Sequence, residues 1–239
     1  EEIAGRLKKE NGGKTVICHE TIYRYIYSQE GKEKKLNQYL VRGHKERRRW
    51  HGRHKYQRGI PDRISLDLRP EIINQRGRFG DWEIDSVAGK KVRKGVTPGV
   101  HTFLERKTRR YQAILLPNID SEYGVKAQLK VFGSLPQKAR RSATFDNGKE
   151  NYIHTKLKIF LGMETYFCDP NAAWQKGANE HFNGILRRYI PKKTDLTTLT
   201  QFELDEIVEE INNRPLKCLK FETPSEAFAR ELKSLSISK

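Results

Sequence analysis

Three acidic residues stand where carboxylates could do chemistry. Asp85 lies inside the strand pattern WEIDSV, Asp146 follows the short strand pattern RRSATF, and Glu180 lies in the helical stretch 175–189. Strand ends are where α/β sheets usually present their chemistry, and a carboxylate among apolar strand residues is costly to bury without a partner. Each acid also has a plainer interpretation, because aspartates often cap turns and surface helices often carry glutamates.

Taken together, the three carboxylates suit phosphodiester chemistry. That reaction requires an activated nucleophilic oxygen, a stabilised leaving oxygen and neutralisation of a crowded negative charge. Two Mg²⁺ ions ~3.5–4 Å apart can do all three when hard oxygen ligands hold them. Acids that are distant in the chain can meet when a helix docks onto a sheet, so their separation in sequence does not exclude a shared site.

The helical stretch that carries Glu180 has two distinct sides when it is projected at about 100° per residue. One side is an apolar stripe that would dock the helix, made of Phe182, Ile185, Leu186 and Tyr189. The other side is a polar row made of Glu180, Asn183, Gly184 and Arg187. A row with a carboxylate, an amide and a cation is typical of a functional face, and an ordinary amphipathic surface helix remains the alternative.

The elements around these acids predict an α/β structure. Strand patterns occur in FGDWEIDSVAG, VHTFLERK, RYQAILLP, RRSATF and METYFC. Helical patterns occur in SEYGVKAQLKVFGSL and in three stretches near residues 175–189, 200–212 and 224–234. Leading strands and trailing helices favour one layered α/β domain, which we assign to residues 62–239.

The composition indicates a polyanionic partner. The 239 residues include 47 Lys and Arg against 30 Asp and Glu, a formal net charge of +17. The mean hydropathy is −0.82, and the longest aliphatic run, residues 113–116, is far short of the ~20 residues that span a bilayer. Cys18, Cys168 and Cys218 form no CxxC pair, so neither a disulfide framework nor a cysteine-based zinc site is expected. These features predict a cytoplasmic protein with no membrane partner.

Two short helical patterns open the chain. EEIAGRLKKE ends at the turn signal Asn11-Gly12-Gly13, and CHETIYRYIYSQE follows. Two short helices joined by a glycine-containing turn suit a helix-turn-helix-like segment over residues 1–42. Its candidate DNA contacts are His19, Thr21 and Arg24. A helical hairpin that binds nothing remains the alternative.

A basic linker follows at residues 43–61. Residues 42–58 hold eight Lys or Arg and one acid. The candidate phosphate contacts are Lys45, Arg47, Arg48, Arg49 and Arg53. Trp50 and Tyr56 interleave these charges as base-stacking residues would, whereas a solvated linker would show the charge alone.

Five sequence blocks also carry a family resemblance. The blocks are GDWEIDSV, TFLERKTRRY, TFDNGKE, NEHFNGILRRYIPKKTDL and NNRPLKCLKFETPSEAF. In this order, and with 33 residues between Asp146 and Glu180, they resemble the catalytic region of the insertion-sequence-thirty family of bacterial DDE transposases. The upstream block EEIAGRL…HETIYRYIY is similar to that family as well, so the resemblance covers nearly the whole chain.

The resemblance implies a ribonuclease H-like, retroviral integrase-like core with Asp85, Asp146 and Glu180 as a metal-binding catalytic triad. It implies Mg²⁺ as the cofactor, with Mn²⁺ as a substitute, and no nucleotide. A metal-activated water would cut at the transposon end, and the resulting 3′-hydroxyl would attack a target phosphodiester. Asn183 and Arg187 match the family's NExxNGxLR run and are candidate contacts to the DNA end.

The implied partners are double-stranded DNA, at transposon ends and at the target, and further copies of the chain. Concerted cutting of two ends implies at least a dimer on DNA. Binding to chromosomal DNA implies association with the bacterial nucleoid.

Two alternatives stay open. Members of that family usually carry an additional N-terminal helix-turn-helix region that reads the inverted repeats. This chain does not begin with Met, and it starts inside the second helical segment of that family arrangement. We therefore expect a fragment or a decayed element. One alternative is a truncated, non-catalytic DNA-binding protein that occupies transposon ends or inhibits the full-length enzyme. The other is a ribonuclease H-type nuclease that acts on RNA–DNA hybrids, because such a nuclease shares the fold and metal site.

Overall fold

The computed structural model describes residues 2–40, 59–169 and 173–237. The chain divides into two compact units, Glu1–Gln57 and Arg58–Lys239. The domain boundaries predicted from the sequence, 1–42, 43–61 and 62–239, are not tested by this division and stay predictions. Among the described helices, none is long and apolar enough to cross a membrane.

The described part of the first unit is helical, with α1 Glu2–Glu10, α2 His19–Ile26 and α3 Gln29–Glu33. The chain turns after α1 at Gly12 and Gly13, which both have positive φ, a conformation that glycine adopts without strain. Ser28 caps α3, because its hydroxyl accepts a hydrogen bond from Gly31 N. Helices thus lie where the periodicity predicts them, and their interpretation as a helix-turn-helix stays a prediction.

The second unit is built on a five-stranded sheet with β1 Asp81–Ala88, β2 Gly99–Glu105, β3 Tyr111–Leu116, β4 Ser142–Phe145 and β5 Glu164–Phe167. The strand order is β3-β2-β1-β4-β5. Strands β1, β2 and β3 are antiparallel neighbours, whereas β4 pairs in parallel with β1 and with β5. All five strand patterns predicted from the sequence are present, and β1 lies at the centre of the sheet.

Helices surround this sheet: α4 Glu71–Asn74, α5 Ser121–Gly133, α6 Thr155–Leu161, α7 Gly177–Tyr189, α8 Gln201–Asn212 and α9 Pro224–Ile237. Asp120 begins α5 by accepting hydrogen bonds from the amides of Glu122 and Tyr123. Thr200 and Glu203 form a reciprocal capping box at the start of α8. These capped starts agree with the predicted stretches, because side-chain acceptors satisfy amides that a helix leaves free.

The two faces of the sheet bury different cores. Trp82 and Ile84 of β1 pack on one face with Phe132 of α5. Val87 of β1 packs on the opposite face with apolar side chains of α7 and α8. Because side chains alternate along a strand, Asp85 shares the face of Val87. The alternation therefore places Asp85 on the side of the sheet that α7 covers.

Candidate active site

The carboxylates of Asp85 and Asp146 converge on the ammonium of Lys176. Lys176 Nζ lies 3.1 Å from Asp85 Oδ1 and 3.6 Å from Asp146 Oδ2. The sheet explains this meeting, because β1 and β4 are adjacent parallel strands. Asp85 lies in β1, and Asp146 directly follows the last residue of β4. Two of the three acids predicted from the sequence thus face a single cation.

Local hydrogen bonds fix the Asp146 side chain. Its Oδ1 accepts hydrogen bonds from Gly148 N and from Asn151 Nδ2, each at 3.0 Å. This is the turn-capping geometry that an Asp-Asn-Gly sequence favours. The turn uses Oδ1 and leaves Oδ2 facing Lys176, so the capping interpretation and the site interpretation of Asp146 are compatible.

Lys176 is buried and directly precedes α7. Its ammonium also donates a 3.1 Å hydrogen bond to the carbonyl oxygen of Ile84. Burial by itself disfavours the charged form, but the carboxylates of Asp85 and Asp146 outweigh burial and raise the pKa of Lys176. A charged amine held by two carboxylates therefore forms the centre of the site.

A further carboxylate near this centre is Glu150, which the sequence interpretation does not single out. Burial raises the pKa of Glu150, and the negative charges of Asp146 and Asp85 raise it further. Glu150 therefore lies close enough to Asp146 and Asp85 for their negative charges to act on it.

Helix α7 is attached to β1 by polar contacts at three successive turns. Asn179 N donates to Glu83 Oε2 (3.1 Å), Asn183 Nδ2 donates to Asp85 Oδ2 (2.8 Å), and Arg187 Nη2 donates to Ala88 O (2.8 Å). Four helical residues advance about 6 Å, and two strand residues advance about 6.6–6.8 Å. The first two contacts therefore recur at nearly equal spacing on the helix and on the strand.

Glu83 anchors the start of α7. Its carboxylate is fully buried, pairs with the guanidinium of Arg106 and accepts the Asn179 amide. Arg106 also donates a 3.2 Å hydrogen bond to the carbonyl oxygen of Ile73. A carboxylate at a helix N-terminus is favourable, because the free amides there carry partial positive charge.

Glu180 lies in the first turn of α7, and its side chain is exposed. In the described part of the chain, no hydrogen bond or ion pair joins Glu180 to Asp85 or Asp146. Within residues 2–40, 59–169 and 173–237, no three His, Cys, Asp or Glu side chains are grouped to hold a metal ion. The structure therefore brings two predicted ligands together and leaves Glu180 on the adjoining surface, where its role stays a prediction.

The donor set at the centre fits a hard divalent cation. Asp85 and Asp146 supply carboxylate oxygens, which Mg²⁺ prefers, and one oxygen of each faces the Lys176 ammonium. Asn183 and Asn151 hold the other two oxygens. The two oxygens that face Lys176 already bind a positive charge, so they are the oxygens that a divalent ion would contact in place of the ammonium.

The polar row predicted on α7 differs from the observed one. Asn183 is buried, with its amide nitrogen bonded to Asp85 and its Oδ1 accepting a 2.8 Å hydrogen bond from Tyr111 OH. Tyr189, expected in the docking stripe, is 38% exposed and donates to Glu210. Asn183 therefore belongs to the buried face of α7, because the Asp85 carboxylate on the covered side of β1 requires a hydrogen-bond donor.

The remaining predicted DNA contacts are surface residues or lie outside the described ranges. His19, Thr21 and Arg24 are exposed on α2. Arg187 is partly exposed near the end of α7. Lys45, Arg47, Arg48, Arg49 and Arg53 lie outside the described residues.

Sequence reasoning did not identify Lys176, Glu83 or Asn151. Glu83 carried a usable signal, because it lies two residues before Asp85 and therefore on the same face of β1. Lys176 stands at the start of the predicted helix, where a cation interacts unfavourably with the helix dipole. A lysine at such a position indicates a role other than stabilising the helix. Asn151 lies in the loop after Asp146, and its role depends on a turn that side-chain types alone do not specify.

The antiparallel strands β1 to β3, the strands β4 and β5 that continue the sheet in parallel with β1, and the helices on both faces fit the ribonuclease H-like core of a transposase. No protein-family model matches the chain. The chain is 38% identical over 240 residues to the transposase InsI for insertion sequence element IS30A of Escherichia coli (strain K12), which covers 96% of this chain and 61% of that protein.

Two further relatives come from other bacteria. The transposase for insertion sequence element IS4351 of Bacteroides fragilis is 36% identical over 245 residues, covering 100% of this chain and 71% of that protein. The transposase for insertion sequence element IS1086 of Cupriavidus metallidurans is 34% identical over 220 residues, covering 90% of this chain and 63% of that protein. The chain therefore belongs to the IS30 family of transposases, as the sequence blocks predict, and it spans about three fifths of the InsI relative's length.

Proposed function

We propose that this chain is a DNA transposase that cleaves the ends of an insertion sequence and joins them to target DNA in a metal-dependent reaction. The observation that carries the proposal is the convergence of Asp85 and Asp146, from neighbouring strands, on one buried cation. The similarity to transposases of the IS30 family supports the same activity.

Asp85 and Asp146 would hold Mg²⁺, or Mn²⁺ in its place, through the oxygens that face Lys176. A pair of such ions activates the attacking oxygen and stabilises the leaving oxygen of a phosphodiester. Asn183 and Asn151 bind the second oxygen of each carboxylate, so both ligands keep their orientation during the reaction.

Glu180 is the third carboxylate of the proposed triad. It follows Asn179, whose amide is tied to the buried Glu83. The first turn of α7 is therefore held against β1, and an exposed Glu180 side chain on that turn faces solvent through which DNA would approach. The proposed role of Glu180 is to complete the oxygen ligands once metal and DNA are bound.

An exposed basic surface next to α7 suits the DNA backbone. This surface, called the hairpin surface below, consists of Lys90, Lys91, Arg93 and Lys94 in the β1–β2 connection and of Lys192 and Lys193 after α7. A 2.8 Å hydrogen bond from Lys90 N to Thr194 O joins its two parts. Clustered exposed cations bind phosphates without reading sequence.

Concerted cutting of two ends would require at least two copies of the chain on double-stranded DNA. The site of action would be the bacterial cytoplasm, at the nucleoid, because the proposed substrates are chromosomal.

Strand transfer by the purified chain tests the proposal. Pre-cut duplex ends with a 3′-hydroxyl are incubated with a supercoiled plasmid and Mg²⁺ or Mn²⁺. Joined products are expected with the native chain and with Asp205→Asn, a matched change at an exposed acid of α8. None are expected with Asp146→Asn or Glu180→Gln, although gel retardation should show that both still bind DNA.

Substantial joining by Asp146→Asn would contradict the proposed triad. DNA retardation without joining by the native chain would instead favour the truncated, non-catalytic DNA-binding protein.

A further inference from the structure

Lys176 occupies the position at which the free oxygens of Asp85 and Asp146 converge. Its Nζ lies 3.1 Å from the first carboxylate and 3.6 Å from the second, and it donates to the Ile84 carbonyl oxygen. The Lys176 side chain is only 6% exposed. A charged amine is buried so deeply only where partners compensate for its lost hydration, and here the partners are the two proposed metal ligands.

The two carboxylates need such a cation when no metal is bound. Asp85 and Asp146 approach a common point from adjacent strands, and like charges held close together repel. The Lys176 ammonium neutralises part of this charge and so stabilises the arrangement before metal binding.

The same ammonium excludes a metal ion from that point. Mg²⁺ binds oxygen at about 2.0–2.1 Å, so an ion bridging these carboxylates would lie within a few ångströms of Nζ. Two cations at such a separation repel each other. The four-carbon lysine stem is flexible, and Lys176 precedes α7 rather than lying inside it. The side chain can therefore leave while the Glu83–Asn179 contact keeps the helix in place.

We propose that Lys176 is a resident cation that competes with the divalent metal ion for Asp85 and Asp146. It preserves the ligand pair in the metal-free protein and must swing out before the ion binds. The inference rests on the proposed function, because it presupposes the metal site. Its consequence is that the native chain binds divalent ions more weakly than its carboxylates alone would.

Metal binding, measured without DNA or turnover, tests this inference. The probe is Mn²⁺, followed by the loss of its free-ion electron paramagnetic resonance signal on titration of the full chain. Lys176→Met removes the charge and keeps most of the side-chain volume. Lys158→Met is the matched control, because the Lys158 side chain on α6 forms an exposed ion pair with Glu164 of β5. We expect Lys176→Met to bind Mn²⁺ at least tenfold more tightly than the native chain, and Lys158→Met to bind it as the native chain does.

Thermal unfolding supplies a second readout. Without metal, Lys176→Met should unfold at a lower temperature than the native chain, and Mn²⁺ should raise its midpoint by more than it raises the native one. Lys176→Gln serves the same purpose if the methionine variant does not fold, since glutamine retains a donor.

The outcomes separate this inference from the proposed function. If the native chain binds Mn²⁺, Asp85→Asn does not, and neither Lys176 variant binds more tightly than the native chain, the competition is refuted and the metal site stands. If neither the native chain nor a folded Lys176 variant binds Mn²⁺, the proposed metal site itself is refuted, and the competition with it.

Discussion

The side-chain amide of Asn183 donates a 2.8 Å hydrogen bond to the carboxylate of Asp85. This contact links the middle of α7 to the central strand of the sheet, and it does so inside the protein, where Asn183 is 8% exposed. Tyr111 OH binds the other end of the same amide. The amide therefore acts as a bridge between a proposed metal ligand and the core, with both of its polar ends satisfied.

Replacing Asn183 by Asp should destabilise the second unit. The change removes the donor to Asp85 and sets two carboxylates against each other in a buried place, where an unpaired polar group costs about 1–3 kcal/mol and a charged one more. Urea unfolding measures the loss. Asn213→Asp, at an exposed residue after α8, should change the stability by under about 1 kcal/mol. Equal stability of Asn183→Asp and the native chain would contradict the bridging role.

Replacing Glu83 by Gln should lower the free energy of unfolding by about 3–5 kcal/mol, because it leaves the Arg106 guanidinium buried without a countercharge. Adding Arg106→Met should restore part of that loss, since no unpaired charge then remains. Glu164→Gln, which breaks the exposed pair with Lys158, should cost under about 1 kcal/mol. Chemical denaturation of the three variants would disprove the buried pair if Glu83→Gln behaved like Glu164→Gln.

Neutralising the hairpin surface should weaken DNA binding in a salt-dependent way. Changing Lys90, Lys91, Arg93 and Lys94 to Gln should reduce the slope of log affinity against log salt by about 0.9 for each phosphate that the protein no longer neutralises, or up to about 3–4 in all. Fluorescence anisotropy with labelled duplex DNA at several salt concentrations gives the slope. The matched control replaces four exposed lysines of α5 and α6, namely Lys126, Lys130, Lys156 and Lys158. Identical slopes for the two quadruple variants would show that only total charge matters.

Acid should destabilise the second unit through His154. Its ring is 2% exposed; Nε2 donates to the carbonyl oxygen of Pro61, and Nδ1 accepts from the Thr165 hydroxyl. Burial lowers the pKa of His154 from its ordinary value of 6.5. As the pH falls through about 6.5, His154 becomes protonated in the unfolded chain but not in the folded chain. The free energy of unfolding therefore decreases below that pH until the pKa of His154 in the folded chain is reached.

Denaturation midpoints above and below pH 6.5 measure this effect. His154→Gln, which does not titrate, should reduce the pH dependence without abolishing it, because the buried His101 also has a lowered pKa. The reduction should exceed that in His181→Gln, a matched change on the exposed side of α7. An unchanged slope in His154→Gln would exclude His154 as a source.

Much of the scaffold could be predicted from local pattern, while the centre of the site could not. Alternation around Asp85 predicts β1, and the glycine turn after Asp146 marks the end of β4. The predicted helix at 175–189 begins instead at Gly177, because residues 173–176 form a tighter 3₁₀ turn. That turn places the Lys176 ammonium against Asp85 of β1 and against Asp146 at the end of β4. Its partners depend on strand order and on the docking of α7, which residue types and spacing leave open.

Glu83 and Arg106 illustrate the same limit. They are 23 residues apart, and they meet because β1 and β2 pair antiparallel with Trp82 opposite Glu105. A different register, shifted by one residue, would send Glu83 to the other face of the sheet. Charge pattern alone does not specify such a register, whereas the buried pair depends on it.

The matched repeats of α7 and β1 restrict where the chain tolerates changes in length. A single residue inserted between Asn179 and Arg187 would rotate the rest of the helix by about 100°, carrying Asn183 or Arg187 away from its strand partner. Residues added in loops outside this segment would leave the repeat itself unchanged. Natural insertions and deletions in relatives are therefore expected outside the segment from Asn179 to Arg187, which should keep a constant length.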